Sequence, residues 1–258
     1  MREYSIEDAQ EAGNTFLIYG KPGVGKTYAL GTLPDPILVI ITEPRDPRRV
    51  LRANPDAFGK KITFREYESF DEIMEALNSL YEDYKSGKHD YNSICFDSLS
   101  FEQSKFKLDL EDSRFDLALE EKKREDTLVD RFRIERGDWG ALSSMMKRLT
   151  WLLNRLSKFG VNIVATATVV EYPSWNKELV AAPSFQGLEF PSVAAGYFDF
   201  IALLTEKSGS SPYPPIAHFV SDGTFLAKSC SPTITERKSG PLNFKKILEV
   251  IELDRQRK

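Results

Sequence analysis

Eight consecutive residues carry the clearest chemistry in this chain. Gly20-Lys21-Pro22-Gly23-Val24-Gly25-Lys26-Thr27 reads G-x-x-x-x-G-K-T and follows the apolar run Phe16-Leu17-Ile18-Tyr19. A strand feeding such a loop makes a phosphate cradle, the P-loop. Its glycines let backbone N–H groups close around β- and γ-phosphates, Lys26 supplies a point charge, and the Thr27 hydroxyl binds Mg²⁺ at a helix N-terminus. The helix-compatible Thr27-Tyr28-Ala29-Leu30 follows. Gly20, Pro22, Gly23, Val24, Gly25, Lys26, Thr27 and Tyr28 are the expected nucleotide-contacting residues.

Two carboxylates complete a nucleotide-hydrolysis set. In Ser93-Ile94-Cys95-Phe96-Asp97-Ser98 an apolar strand ends in an acid, the form of a Walker B element, so Asp97 is expected at the Mg²⁺ with Thr27. The same spacing also suits an aspartate that merely caps the next helix. Glu43 ends Ile37-Leu38-Val39-Ile40-Ile41-Thr42 and would emerge at the carboxyl edge of a sheet, where it could polarise an attacking water. Its bland alternative is a solvated loop acid before Pro44.

The elements that must position these groups read as one α/β domain spanning residues 1–258. With 258 residues and 41% hydrophobic content, the chain can bury a substantial core. Expected strands are Phe16 to Tyr19, Ile37 to Thr42, Ile62 to Tyr67, Ser93 to Asp97, Val161 to Thr168 and Phe198 to Thr205, alternating with helices as in a mostly parallel sheet. Ser69 and Glu72 form a capping box ahead of a helical stripe running to Gly87. A longer amphipathic helix follows Asp138 and ends at Gly160. Ile216 to Val220 and Thr224 to Ala227 flank Ser221-Asp222-Gly223 as a small hairpin, and Pro241 opens a final helix.

Composition excludes several classes. Two cysteines, Cys95 and Cys230, form no C-x-x-C, and two histidines give little support to histidine catalysis. The residues Met1 to Gly13 resemble no signal peptide, and no apolar run is long enough to span a membrane, so a cytoplasmic chain is expected. A net charge of −4 means that nucleic acid would need a local basic patch or an assembly. Two arginine clusters, Arg45/Arg48/Arg49/Arg52 and Arg124/Arg131/Arg133/Arg136, are interleaved with acids and read as solvated surfaces. Lys228 is a candidate donor to a neighbouring subunit's phosphate. The stretch from Glu171 to Gly196 carries Tyr172, Trp175, Phe185 and Phe190, aromatics suited to stacking on unpaired bases, although Lys177 is its one basic residue.

In order and spacing these motifs resemble the phage-encoded RecA-like ATPases, a phage nucleotide-binding AAA group that includes the Sak-four single-strand annealing recombinases. The resemblance rests on the P-loop, Thr42-Glu43, Ile94-Cys95-Phe96-Asp97-Ser98-Leu99, Gly137-Asp138-Trp139-Gly140, Val161 to Thr168, Pro183-Ser184-Phe185-Gln186-Gly187 and Tyr197-Phe198-Asp199. It covers roughly residues 14 to 205. It implies a RecA-like core that binds ATP with Mg²⁺, assembles as a homo-oligomer, binds single-stranded DNA and promotes annealing or recombination. Thr168 falls where that group carries a γ-phosphate sensor, giving Lys26, Glu43 and Thr168 as the catalytic set. Alternatives are a nucleotide-gated interaction module that recruits single-strand-binding, replication or repair proteins, and an AAA-type loader.

Overall fold

A computed structural model describes residues 12–125, 136–173, 179–207 and 213–256. In chain order the strands are β1 (Thr15–Tyr19), β2 (Ile37–Ile41), β3 (Ile62–Arg65), β4 (Ser93–Asp97), β5 (Asn162–Ala167), β6 (Val169–Pro173), β7 (Leu179–Pro183), β8 (Phe200–Thr205), β9 (Ile216–His218) and β10 (Ser239–Pro241). The helices are α1 (Lys26–Leu30), α2 (Arg48–Arg52), α3 (Phe70–Lys85), α4 (Leu99–Glu125), α5 (Arg136–Ser157), α6 (Glu189–Ala194), α7 (Pro232–Arg237) and α8 (Phe244–Gln256).

Eight strands form one sheet in the order β10-β9-β8-β1-β5-β4-β2-β3. The six from β8 to β3 are parallel, and β9 and β10 add an antiparallel edge. All six strands expected from the apolar runs form, with ends shifted by two residues at most. Their near-continuous apolar character follows from helices on both faces. Alternate residues serve opposite sides: Leu17, Tyr19, Leu38, Ile40, Ile94 and Phe96 pack with α3, α4 and α5. Phe16, Ile18, Ile37, Val39 and Cys95 pack with α1, α2 and α8. The three-layer arrangement leaves the strand tips as the place where polar residues can converge.

The C-terminal elements differ from expectation in detail. Ile216 to Val220 does not pair with Thr224 to Ala227. Instead β9 pairs with β8 and β10, while Thr224 to Leu226 hydrogen-bonds to Ala181 of β7. The Ser221-Asp222-Gly223 turn forms, but the strand after it finds a partner in the β6–β7 hairpin. Nor does Pro241 open the last helix: it closes β10, and the Asn243 side chain accepts from Lys246 N (3.1 Å) ahead of α8. Asn243 is the better cap because its carbonyl oxygen satisfies an otherwise unpaired amide.

One polar group in the core stands out. Glu102, in the first turn of α4, is 1% exposed, and its Oε1 has no hydrogen-bond partner among the described residues. Burial pushes its carboxyl up to about 7, with the Lys105 ammonium opposing and Asp109 adding to the rise. Between an ordinary value of 4.5 and about 7 the folded chain keeps a proton that the unfolded chain releases. The associated stability is therefore present below that window and lost as pH rises through it. Glu102→Gln is expected to be close to neutral at pH 5 and more stable than the parent by about 2 to 3 kcal/mol at pH 8. Urea denaturation at the two pH values measures this, and an equal difference at both would show that Glu102 is ionised throughout.

Candidate functional site

The chain leaves β1 at Tyr19 and turns at Gly20, whose N–H donates to Ala167 O (3.3 Å) at the tip of β5. The P-loop then needs glycine where the backbone enters the left-handed region, with φ of 84° at Gly23 and 105° at Gly25. At Gly25 a Cβ would also lie 2.9 Å from the Tyr213 ring and 3.2 Å from Pro215. Lys26 and Thr27 open α1 and are both buried. Lys26 Nζ donates to Gly20 O (2.9 Å) and Lys21 O (3.1 Å), which curls its ammonium over the loop. Burial lowers the Lys26 pKa, and the nearby Glu43 and Asp97 carboxylates oppose that shift. Because α1 has only five residues, its macrodipole is short. Anion attraction here falls mainly to the loop amides and Lys26.

Asp97 is the last residue of β4 and is 2% exposed. Its Oδ2 accepts from Thr27 Oγ1 (2.7 Å) and its Oδ1 from Thr166 Oγ1 (2.7 Å). The Asp97 carbonyl accepts from Thr42 N (3.1 Å) and Glu43 N (3.3 Å), and Thr42 Oγ1 donates to Ser98 O (2.6 Å). These bonds clamp the tip of β2 to the tip of β4 and aim Glu43 at the P-loop. The Glu43 side chain is 10% exposed and pairs with Arg45 Nε at 3.0 Å. Arg45 in turn extends an Nη to within 3.5 Å of Thr27 Oγ1. The P-loop, Lys26, Thr27, Asp97 and Glu43 thus share one corner.

The donor set fits Mg²⁺. Thr27 Oγ1 and Asp97 Oδ2 are 2.7 Å apart. That is close to the edge of an octahedron with metal–oxygen bonds of about 2.0 to 2.1 Å. Both donors are hard oxygens, and among the described residues no group of three or more His, Cys, Asp or Glu offers a softer or all-protein cage. Mg²⁺ characteristically takes one or two protein ligands and completes its shell with water and phosphate.

Other expected residues divide. Thr168 follows β5, where its N–H donates to Ser100 Oγ (3.2 Å) and its carbonyl accepts from Ser184 N (2.8 Å). The hydroxyl that reaches Asp97 belongs to Thr166, two residues earlier on the same side of the strand. Tyr28 stacks on Tyr213, with centroids 4.3 Å apart and planes 8° from parallel. Lys228 lies away from the P-loop corner: its Nζ donates to Phe198 O (2.7 Å) ahead of β8, at the opposite edge of the sheet, so it is spent on local carbonyls. Of the four aromatics between Glu171 and Gly196, Phe185 and Phe190 are core residues packed on each other at 5.0 Å, and cannot stack on bases. Tyr172 is half exposed, with its hydroxyl donating to Phe185 O (3.2 Å). Trp175, Lys177, Arg131 and Arg133 lie outside the described residues.

Sequence reasoning missed Thr166, Arg45 and Tyr213. Thr166 had a readable signal, a hydroxyl alternating with Thr168 toward the end of a mostly apolar strand. Arg45 was masked by its three arginine neighbours, of which Arg48 does form a surface pair with Asp46 at 2.8 Å. Tyr213 is brought in by tertiary structure, from a segment nearly two hundred residues away from the P-loop.

A family model described as an AAA domain matches residues 12–173. No curated protein matches the chain. The match spans more than half of the sequence and takes in β1 through β6, hence the P-loop, Glu43, Asp97 and Thr166. The chain belongs to this AAA domain family, of the P-loop ATPase type.

Proposed function

We propose that this protein is a Mg²⁺-dependent ATPase with a RecA-like mode of action, which promotes single-stranded DNA annealing or recombination as a homo-oligomer in the cytoplasm of a phage-infected cell. The observation that carries the ATPase reading is the Thr27–Asp97 hydrogen bond set beside Lys26 and Glu43. The DNA reading is supported by the ordered resemblance to phage RecA-like annealing proteins. Single-strand-binding or replication proteins are the natural partners of such an activity.

In this reading the P-loop amides and Lys26 hold the β- and γ-phosphates. Thr27 Oγ1 and Asp97 would hold Mg²⁺, which when bound supplies charge neutralisation at the phosphate oxygens. Thr166 fixes the Asp97 carboxylate so that its other oxygen faces Thr27. Glu43 orients the attacking water, and Arg45 restrains the Glu43 carboxylate until a phosphate competes for the guanidinium. Tyr28 and Tyr213 border the loop on the side where the nucleoside would leave the phosphates. Thr168 senses phosphate state through Ser100 and passes it to the segment at Ser184. Catalysis of this kind is positioning and electrostatics, with no covalent step on the protein.

Lys26→Ala is expected to abolish nucleotide binding measured by calorimetry. Glu43→Gln should keep ATP affinity while slowing turnover by about 10²-fold or more, and wild-type turnover would remove Glu43 from the mechanism. Thr166→Val leaves one buried Asp97 oxygen without its donor, so a loss of about 1 to 3 kcal/mol in stability is expected, together with a higher Mg²⁺ requirement. An unchanged Mg²⁺ titration would reduce Thr166 to scaffolding. Turnover with and without oligothymidylate, paired with a mass measurement of the assembly, tests the DNA reading. Stimulation with oligomer formation supports it; hydrolysis indifferent to DNA favours the interaction module.

A further inference from the structure

The exposed side of α5 and the turn that follows it carry an unusual stripe. Arg148, Trp151, Arg155 and Lys158 recur at helical spacing, and Arg148, Trp151 and Lys158 are exposed. Beside the C-terminal half of α3, Trp151, Arg155 and Lys158 line a cavity of about 550 Å³. The Arg155 guanidinium is sandwiched there between two rings, 3.9 Å from the Tyr81 centroid and 4.7 Å from that of Trp151. Trp151 nevertheless stays 56% exposed. Among the described residues three cations, Lys85, Arg155 and Lys158, line the cavity with one carboxylate, Glu82, which pairs with Lys85 at 3.0 Å. This is a local reversal of sign in a chain of net charge −4.

An indole held flat by a cation on one side and open to solvent is a stacking platform, and the surrounding cations suit a chain of phosphates. A ligand with both flat π faces and regularly spaced anions is a single-stranded nucleic acid. An acidic peptide matches the charge and leaves the indole unused. A duplex hides its base faces. We propose that the groove between α3 and α5 binds single-stranded nucleic acid, with a base on Trp151 and backbone phosphates on Arg155 and Lys158 in the groove and on Arg148 beside it. The proposal rests on the DNA reading above and relocates the contact from the Glu171–Gly196 segment, two of whose aromatics are buried. The groove shares no residue with the P-loop corner.

The test is fluorescence anisotropy of labelled oligothymidylate with the full chain and a non-hydrolysable ATP analogue, at two salt concentrations. Trp151→Ala is expected to weaken binding about tenfold or more, since a stacked base contributes roughly 1 to 3 kcal/mol. Trp151→Phe should recover most of that loss, and basal ATP turnover should be unchanged in both. Arg148→Glu with Lys158→Glu should weaken binding further and flatten its salt dependence. An abasic strand of equal length should bind the wild type more weakly and be indifferent to Trp151→Ala. If the wild type binds oligothymidylate and all these variants bind within twofold of it, the groove is not the contact, while the DNA reading stands. Equal affinity for abasic strand, or equally effective competition by polyglutamate, overturns the proposal in favour of a plain anion-binding surface. A wild type that binds no oligothymidylate overturns both.

Discussion

The buried Asp97 carboxylate and the two threonine hydroxyls that flank it are the constraint on which the rest of the structure depends. β5 lies between β1 and β4, so the strand that feeds the P-loop and the strand that ends in Asp97 are separated by roughly twice the strand spacing, about 9.6 Å. Asp97 reaches the P-loop only because Thr27 leans in from α1 and because the intervening strand presents a small side chain, Thr166, at its tip. A larger residue there would stand between carboxylate and hydroxyl. An apolar one would leave a buried charged oxygen without a donor, a state that costs more than an ordinary hydrogen bond gains. The sheet order and the identity of one residue on β5 are thus parts of a single solution.

The same corner explains why Glu43 is well placed. Its backbone N–H and that of Thr42 both bond to the Asp97 carbonyl, so the tip of β2 is pinned to β4 just where β2 ends. Glu43 is therefore fixed relative to Asp97 by main-chain bonds and relative to Thr27 by way of Arg45. Three acid or hydroxyl groups from three elements are held without a long flexible segment among them. Such preorganisation is what allows a site to act by electrostatics, since little reorganisation accompanies the chemistry.

Most of this architecture was legible in the sequence, for identifiable reasons. Apolar runs such as Ile37 to Ile41 announce themselves as doubly covered strands, and the P-loop fixes both a strand before it and a helix after it. The β6–β7 hairpin and α6 were hidden because the proline-rich stretch from Glu171 to Gly196 signals turns, while Phe185 and Phe190 are buried only through contacts with distant elements. The partner of Thr224 to Leu226 was misassigned for a similar reason: a local turn signal predicts the nearest strand, and tertiary packing offered β7 instead. At the site, Lys26, Thr27 and Asp97 follow from motif and spacing. Tyr213 does not, because its stacking on Tyr28 arises from long-range folding alone.

The two candidate surfaces lie at opposite edges of the sheet. α5 runs back along the sheet and delivers the chain into β5, so Arg155 and Lys158 sit toward the amino edge of the strands, whereas Thr27 and Asp97 stand at the carboxyl edge. The residues lining the groove are not those of the P-loop corner. Any coupling between them has to come from two positions of the packed layer, each favoured by one ligand. At the site end of that layer, Ser100, in the first turn of α4 beside Asp97, accepts from Thr168 N, and the neighbouring Gln103 exchanges hydrogen bonds of 3.0 and 2.6 Å with the Gln186 backbone. α4 packs on α5, and α5 on α3, so the Asp97 end of α4 and the walls of the groove belong to one continuous set of helix contacts.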